Sequence, residues 1–299
     1  MERLRGQEEE LEGIGASVAP RFRREGLTPG VVRLFRRRLM HFYASFGRDL
    51  PWRRTTDPYR ILVSEFMLQQ TQVGRVLVKY QGFLARFPDV GTLAGATSRE
   101  VLGAWQGLGY NRRALALHAT ARRIVREFDG NIPLEPDVLD SFPGIGAATA
   151  GAVVVFSTNR PVVFIETNIR RVYIHLFFSG VTSVHDREIE PILAKTLMRD
   201  RPRDFYYAVM DYGSLLRGPG NPNTRSAAYS RQGPFHGSDR QVRGEILRRL
   251  LPTGDIAPAM LSDLGDARPG QLERVLGGLE RDGFIERVPG RIRCREGPG

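Results

Sequence analysis

Apolar residues recur at three- and four-residue intervals through most of residues 31–216, the period of helices that bury one face. Segments 31–46, 60–72, 75–87, 92–96, 98–104, 112–128, 136–140, 147–157, 169–178, 186–197 and 204–215 read as helices. Pro51, Pro58, Pro88, Pro133, Pro143, Pro161 and Pro202 punctuate them. Few segments alternate as strands do, so the pattern predicts an all-α core over 31–216. Residues 1–30 mix charge runs with glycine and proline and are expected to form a poorly packed extension.

The helical pattern stops at Arg217. Residues 217–234 hold too much glycine, proline and asparagine for a regular element, so a long ordered loop or linker is expected over 217–237. Beyond it, helices fit at 241–251, 258–264 and 271–282. Two short strands, 284–288 and 291–295, flank Pro289-Gly290. Three helices followed by a hairpin predict a separate winged-helix-like unit over 238–299. Its Arg240, Arg243, Arg248, Arg249, Arg287, Arg291, Arg293 and Arg295 are expected to form a basic face.

Composition narrows the function classes. The 299 residues are 41% hydrophobic, enough for a core and too many for a disordered chain. No apolar run reaches the length of a membrane span, and residues 1–10 lack the apolar stretch of a secretory signal. A cytoplasmic, nucleoid-associated protein is expected. Net charge is +11, which favours an anionic polymer as partner, nucleic acid first. Lysine occurs only at 79 and 195, so nearly all the positive charge is arginine, suited to bidentate phosphate contacts. A GC-rich genome would explain the choice of arginine but not the excess of charge. Cys294 is the single cysteine, which excludes an intramolecular disulfide and a cysteine-based metal site. His118, His175 and His185 are not spaced as metal ligands, and Phe83, Phe87, Phe156, Phe177 and Phe178 read as core aromatics.

Three segments carry candidate chemistry. Residues 61–73 read Ile-Leu-Val-Ser-Glu-Phe-Met-Leu-Gln-Gln-Thr-Gln-Val, in which Glu65 is the lone charge. Desolvation there would raise its pKa and let it hold a proton near neutral pH; the competing reading is a solvated surface glutamate. Residues 142–151, Phe-Pro-Gly-Ile-Gly-Ala-Ala-Thr-Ala-Gly, read as the turn of a helix-hairpin-helix. Gly144 and Gly146 are expected to permit the tight turn, whose amides and helix dipole bind a phosphate; an ordinary glycine-rich turn is the alternative. In 161–172 a short apolar stretch delivers Glu166 to a helix start, where the carboxylate is stabilised as an anion. Two carboxylates held apart in pKa provide an acid for a leaving group and an anion for an oxocarbenium-like cation, as glycosidic cleavage requires. The plainer reading of Glu166 is a helix cap.

These motifs resemble the helix-hairpin-helix DNA glycosylases of base excision repair, above all the MutY-type adenine glycosylases. Leu-Pro-Trp-Arg (50–53), Ser-Glu-Phe-Met-Leu-Gln-Gln-Thr-Gln-Val (64–73), Trp-Gln-Gly-Leu-Gly-Tyr (105–110) and the hairpin stand in the family's order and spacing. The resemblance implies two helical domains flanking a cleft into which the target nucleotide is flipped. It implies Glu65 as the acid that protonates the base, Glu166 at the place of the family's aspartate, and Asn168 positioning that carboxylate. Arg48, Leu50, Trp52, Arg53 and Asp211 would form the base pocket. Gln69, Gln70, Thr71 and Tyr110 would engage the opened duplex. Gly144, Ile145, Gly146, Ala147, Ala148 and Thr149 would hold its phosphate, with Arg225 adding a second phosphate contact. The expected partner is double-stranded DNA with a mismatched or damaged base, bound by a monomer.

The chain departs from the family at three places. Glu166 is one methylene longer than the family's aspartate. Ala148 stands where adenine glycosylases carry tyrosine or serine and bifunctional enzymes carry lysine. The four cysteines of an iron–sulfur cluster are absent after Asp211, and residues 221–227 replace that loop. No cluster is therefore expected, and a monovalent cation at the hairpin is the one other ion in view. Only a winged-helix-sized unit follows the core, so the family's 8-oxoguanine-reading domain is not expected either. Adenine removal opposite guanine or 8-oxoguanine leads. Thymine or uracil removal from G·T and G·U mismatches, and non-catalytic binding of damaged DNA, are the alternatives.

Overall fold

The computed structural model describes residues 2–218, 220–231, 233–264 and 269–295. The helices follow in order: α1 (Glu2–Glu25), α2 (Pro29–Phe46), α3 (Pro58–Leu68), α4 (Val73–Arg86), α5 (Val90–Gly95), α6 (Ser98–Trp105) and α7 (Arg112–Phe128). Then come α8 (Pro136–Asp140), α9 (Ala147–Thr158), α10 (Thr167–Phe177), α11 (Asp186–Thr196), α12 (Pro202–Leu215), α13 (Asp239–Thr253) and α14 (Gln271–Arg281). Strands β1 (Asp255–Ile256), β2 (Ile285–Val288) and β3 (Arg291–Cys294) form one antiparallel sheet in the order β1-β3-β2. Among the described residues, no helix is long and apolar enough to cross a membrane.

The chain divides into two compact units. The first holds Met1–Thr56, Glu135–Asp137 and Ala147–Arg231; the second holds Asp57–Leu134, Val138–Gly146 and Gln232–Gly299. In the first unit α2 starts at the capping side chain of Thr28, with Pro29 in the first turn, and buries Val31, Phe35, Leu39 and Phe42 along one face. The ring of Phe35 meets those of Tyr173, Phe177 and Phe205 edge-on at 5.5–6.2 Å. Truncating such a buried ring to alanine costs about 3–5 kcal/mol. Helix α9 is apolar all round and buries Ala150 to Phe156 without a break, so it forms the middle of this unit.

The expected loose extension over 1–30 is not what the chain forms. Helix α1 spans 24 residues and packs on α2 and α10. Ile14 and Val18 are fully buried, and the ring of Phe22 meets that of Phe177 at 5.1 Å. Residues 14, 18 and 22 share one face at four-residue spacing, and that stripe supplies the burial which outweighs the charge runs around it.

In the second unit Asp57 caps α3 by accepting from the amides of Tyr59 and Arg60, and Thr97 with Glu100 closes a capping box on α6. Trp105, fully buried, packs on Phe83. The segment expected to stand as a separate domain from 238 onward belongs to this unit. Arg99 of α6 donates from Nε to Leu251 O at 2.8 Å and reaches Pro252 O beside it, satisfying carbonyls at the end of α13. The helix expected over 258–264 is only a 3-10 turn, Pro258–Leu261, and a third strand, β1, joins the predicted hairpin.

Candidate active site

Glu65 lies on α3, half-buried, between the buried Ile61 and Leu62 and the buried Phe66 and Met67. The chain leaves that helix through a turn whose shape is set by Arg113, a residue with no motif to mark it. Arg113 is itself buried and donates from Nη1 to the carbonyls of Phe66 (2.7 Å) and Met67 (3.0 Å). From Nη2 it donates to Thr71 Oγ1 (2.8 Å) and Gly109 O (3.0 Å). One guanidinium thus satisfies the C-terminal carbonyls of α3 and pins both the 69–72 turn and the 107–110 turn. Burial pulls its pKa down to about 10, still far above neutrality. Gln70 and Tyr110, the residues expected to probe DNA, sit in these turns with φ of +53° and +48°. A side chain in that region strains the backbone, so the surrounding bonds must hold both turns in place.

The hairpin turn follows α8. Thr120 Oγ1 donates to Pro143 O at 3.1 Å, Gln69 Nε2 to Gly144 O at 3.1 Å, and Ile145 is buried. Gly144 has φ +75°, and a Cβ there would sit 2.8 Å from Cβ of Ala116 and 3.0 Å from the Phe66 ring. Glycine is required on both counts. Gly146 has no such constraint: its φ is not positive, and a Cβ would meet only Asp140 Oδ1 at 4.0 Å. The tight turn therefore belongs to Gly144 alone, whereas Gly146 leaves bare backbone exposed at the start of α9. Ala147 is exposed there too, and Ala148 and Thr149 are half-buried. The first amides of a helix have no carbonyl partner within it, so this end can donate to an anion.

In the first unit Glu166 caps α10. Its Oε1 accepts from the amides of Asn168 (2.7 Å) and Ile169 (2.9 Å), and its Oε2 accepts from Asn168 Nδ2 (3.1 Å). Arg171 Nη1 donates to Asn168 Oδ1 at 2.7 Å, and Arg171 Nε to Asn221 Oδ1 at 3.1 Å. The carboxylate is thus oriented by Asn168, and Asn168 by Arg171. Burial lowers the pKa of Arg171. Gly213 of α12 was not marked by any motif, yet a Cβ there would lie 2.2 Å from Asn168 O. Its missing side chain lets α12 reach the start of α10.

The expected base-pocket residues Arg48, Arg53 and Asp211 meet across more than 150 residues of chain. Arg48 donates its backbone amide to Asp211 Oδ2 at 2.8 Å, and Arg53 donates from both terminal nitrogens to the same carboxylate at 2.7 and 2.8 Å. Asp211 is 2% exposed and Arg53 stacks on the Tyr207 ring at 4.4 Å. Leu50 and Trp52 are buried beside them in the chain. The acid at 211 is therefore the anchor of two arginines.

Arg225 and the C-terminal arginines are used differently from expectation. Arg225 Nη2 donates to Ile174 O at 3.1 Å and Nη1 to the carbonyls of Phe178 and Val181, closing the end of α10 from inside the loop. Val184 donates its amide to Arg225 O at 2.8 Å and accepts from the Ala227 amide at 2.9 Å. In the 238–295 segment Arg248 and Arg249 pair with Glu245, Arg249 also with Asp263, Arg287 with Glu273 and Glu280, and Arg291 with Asp255. The expected basic face is largely neutralised by these acids.

Residues 217–231 do not fit the iron–sulfur cluster that the resemblance would bring. Cys294, the one cysteine, is buried in β3, and guanidinium and amide groups hold the loop. Among the described residues, no group of three or more His, Cys, Asp or Glu side chains is arranged to hold a metal ion.

A helix-hairpin-helix turn, a glutamate on an apolar helix and a capped carboxylate at a helix start define a class. Residues 63–197 match the model of the HhH-GPD superfamily of base excision DNA repair proteins, and the chain belongs to that family. It is 35% identical over 269 residues to the adenine DNA glycosylase of Mycolicibacterium smegmatis, covering 84% of this chain and 92% of the relative. It is 34% identical over 283 residues to that of Mycobacterium tuberculosis, covering 85% and 91%. A solved thermostable thymine-DNA glycosylase shares the fold, with a TM-score of 0.58 at 24% identity over 64% of this chain and 89% of that one.

Proposed function

We propose that the protein is a monofunctional adenine DNA glycosylase of the MutY type, working without an iron–sulfur cluster. It would remove adenine mispaired with guanine or 8-oxoguanine. The observation that carries this reading is the likeness to adenine DNA glycosylases over more than four fifths of the chain, with Glu65 retained in its motif. Glu65 protonates the adenine ring, so the C1′–N bond breaks with its electron pair going to a neutral leaving group. Glu166 supplies the anion that faces the oxocarbenium-like sugar. Water adds to C1′ and gives up a proton, leaving an abasic site. The amides of Asn168 and Ile169 hold the Glu166 carboxylate at the start of α10 in one orientation, which suits that role.

A lyase would need an amine to form a Schiff base with the sugar. The hairpin position for that amine holds Ala148, which supports hydrolysis alone. The test is single-turnover excision from duplexes carrying A·G, A·8-oxoguanine, G·T and G·U pairs. Adenine release by the native protein and its loss in Glu65→Gln, with DNA binding kept, is the expected result. Thymine or uracil release without adenine release would assign the other specificity. Near-native turnover by Glu65→Gln would overturn the acid mechanism.

A further inference from the structure

Within the second unit lies a cavity of about 700 Å³. One wall is formed by the 69–72 and 108–113 segments, the other by the 233–244 segment and Asp282. Its lining includes five arginines, Arg75, Arg112, Arg113, Arg240 and Arg243, against one acid, Asp282. Phe235 stands on the rim, 56% exposed, an unusual position for a large apolar ring. The loop that carries it is nonetheless held. Arg240 Nη2 donates to Gly233 O at 2.7 Å, Ser238 Oγ to Phe235 O at 2.6 Å, and Gln271 Nε2 to Gly237 O at 2.9 Å. Arg240 Nη1 donates to the Tyr110 hydroxyl at 3.2 Å, so the two walls are tied together across the cavity.

Arg112 and Arg243 come from different walls and converge on the two oxygens of Asp282, Arg243 at 2.8 Å. Each guanidinium has five N–H donors and spends one of its nitrogens on that carboxylate. Asp282 therefore holds two guanidiniums side by side with donors left over, and the Arg112 side chain is 74% exposed. An exposed aromatic ring on a held loop, in one cavity with paired arginines, suits a base that has left the stack, together with its phosphate. The volume is that of an ordinary small-molecule site.

We propose that this cavity binds one unstacked nucleotide of DNA. Phe235 stacks on the base, Arg112 and Arg243 hold the phosphate, and Arg240 is a positioning residue that fixes the Phe235 loop against Tyr110. The inference rests on the DNA glycosylase reading for its class of partner, and it places part of the recognition in the segment beyond residue 232.

The test measures binding of the full-length protein to two 25-mer duplexes, one fully paired and one with a single bulged nucleotide. The native protein is expected to prefer the bulged duplex, and Phe235→Ala to reduce that preference about tenfold through the lost stacking. Phe235→Trp should keep it. Arg112→Ala with Arg243→Ala should reduce the slope of log affinity against log salt by about 1, one phosphate contact. Phe235 is exposed, so its replacement leaves the core untouched. Equal binding of both duplexes by the native protein, or an unchanged preference in Phe235→Ala, would overturn the proposal and leave the cavity to a protein partner. Excision by the native protein, measured alongside, tests the glycosylase reading separately.

Discussion

Replacing Gly213 by alanine is expected to damage the site around Glu166 although residue 213 lies outside every motif. The new Cβ would sit 2.2 Å from Asn168 O, 2.8 Å from its carbonyl carbon and 2.9 Å from its Cβ, where ordinary contact begins at 3.4 Å. Two of these three atoms are backbone, so relief requires α12 and the start of α10 to separate by about 1 Å. Overpacking of this kind costs about 1–3 kcal/mol, a fall in melting temperature of roughly 2–4 °C for each kcal/mol. Activity should suffer more. Asn168 donates both its amide and its side chain to Glu166, and a shift of about 1 Å at a reacting group costs on the order of a hundredfold in rate. Gly82→Ala in α4 is the matched control. Nothing lies within 4 Å of its Cβ, so the same substitution should stabilise by about 0.5–1 kcal/mol through helix propensity. Thermal melts and single-turnover adenine excision on both variants decide the matter. A Gly213→Ala protein that melts no lower than native and excises at the native rate would refute the steric reasoning.

Asp211→Asn should destabilise the first unit by about 3–5 kcal/mol, because two guanidiniums, one of them 7% exposed, lose their counter-charge; urea unfolding that changes by less than about 1 kcal/mol would contradict this. Acid should weaken the fold through His118 and His175. Burial pushes both below their ordinary pKa of 6.5, with Arg122 adding to the effect at His118 and Arg225 at His175. The unfolded chain then takes up protons that the folded chain refuses, so this stability is fully present above pH 6.5 and falls as pH drops below it. His118→Gln with His175→Gln should flatten denaturation midpoints between pH 7.5 and 5.5, and a native protein equally stable at both values would rule the mechanism out.

Several helix boundaries were legible in the apolar periodicity. The expected 112–128 and 136–140 match α7 and α8 at both ends, and 147–157 falls one residue short of α9. The exposed charges of α1 hid its three-residue apolar stripe, because patterns are read against the background charge of their window. The approach of Gly213 to Asn168 was not legible, since a glycine that makes room for a distant carbonyl leaves no periodicity. Arg48 and Arg53 were tied to Asp211 by resemblance, and the distance between them along the chain gave no local sign of the bond. The tie of the C-terminal segment to residues 57–134 was missed for the same reason: Arg99 reaches two carbonyls, and carbonyls are present at every position.

The net charge of +11 had pointed to DNA, and the structure shows that part of this charge serves the fold instead. Arg99, Arg113 and Arg225 donate to main-chain carbonyls at helix ends, and Arg171 holds an asparagine. Helix C-termini carry partial negative charge and unpaired carbonyls, so a guanidinium there satisfies hydrogen bonds and the dipole together. Arg225 does this, and Arg171 bonds the side chains of Asn168 and Asn221, where the resemblance would place a metal cluster, so the loop is tied to α10 by donors that no redox change can remove. The arginines left to meet phosphate are those without such internal duties. Exposed Arg112 spends one nitrogen on Asp282 and keeps other donors, and Arg240 and Arg243, which share its cavity, lie on the segment that a domain boundary at residue 238 would have set apart.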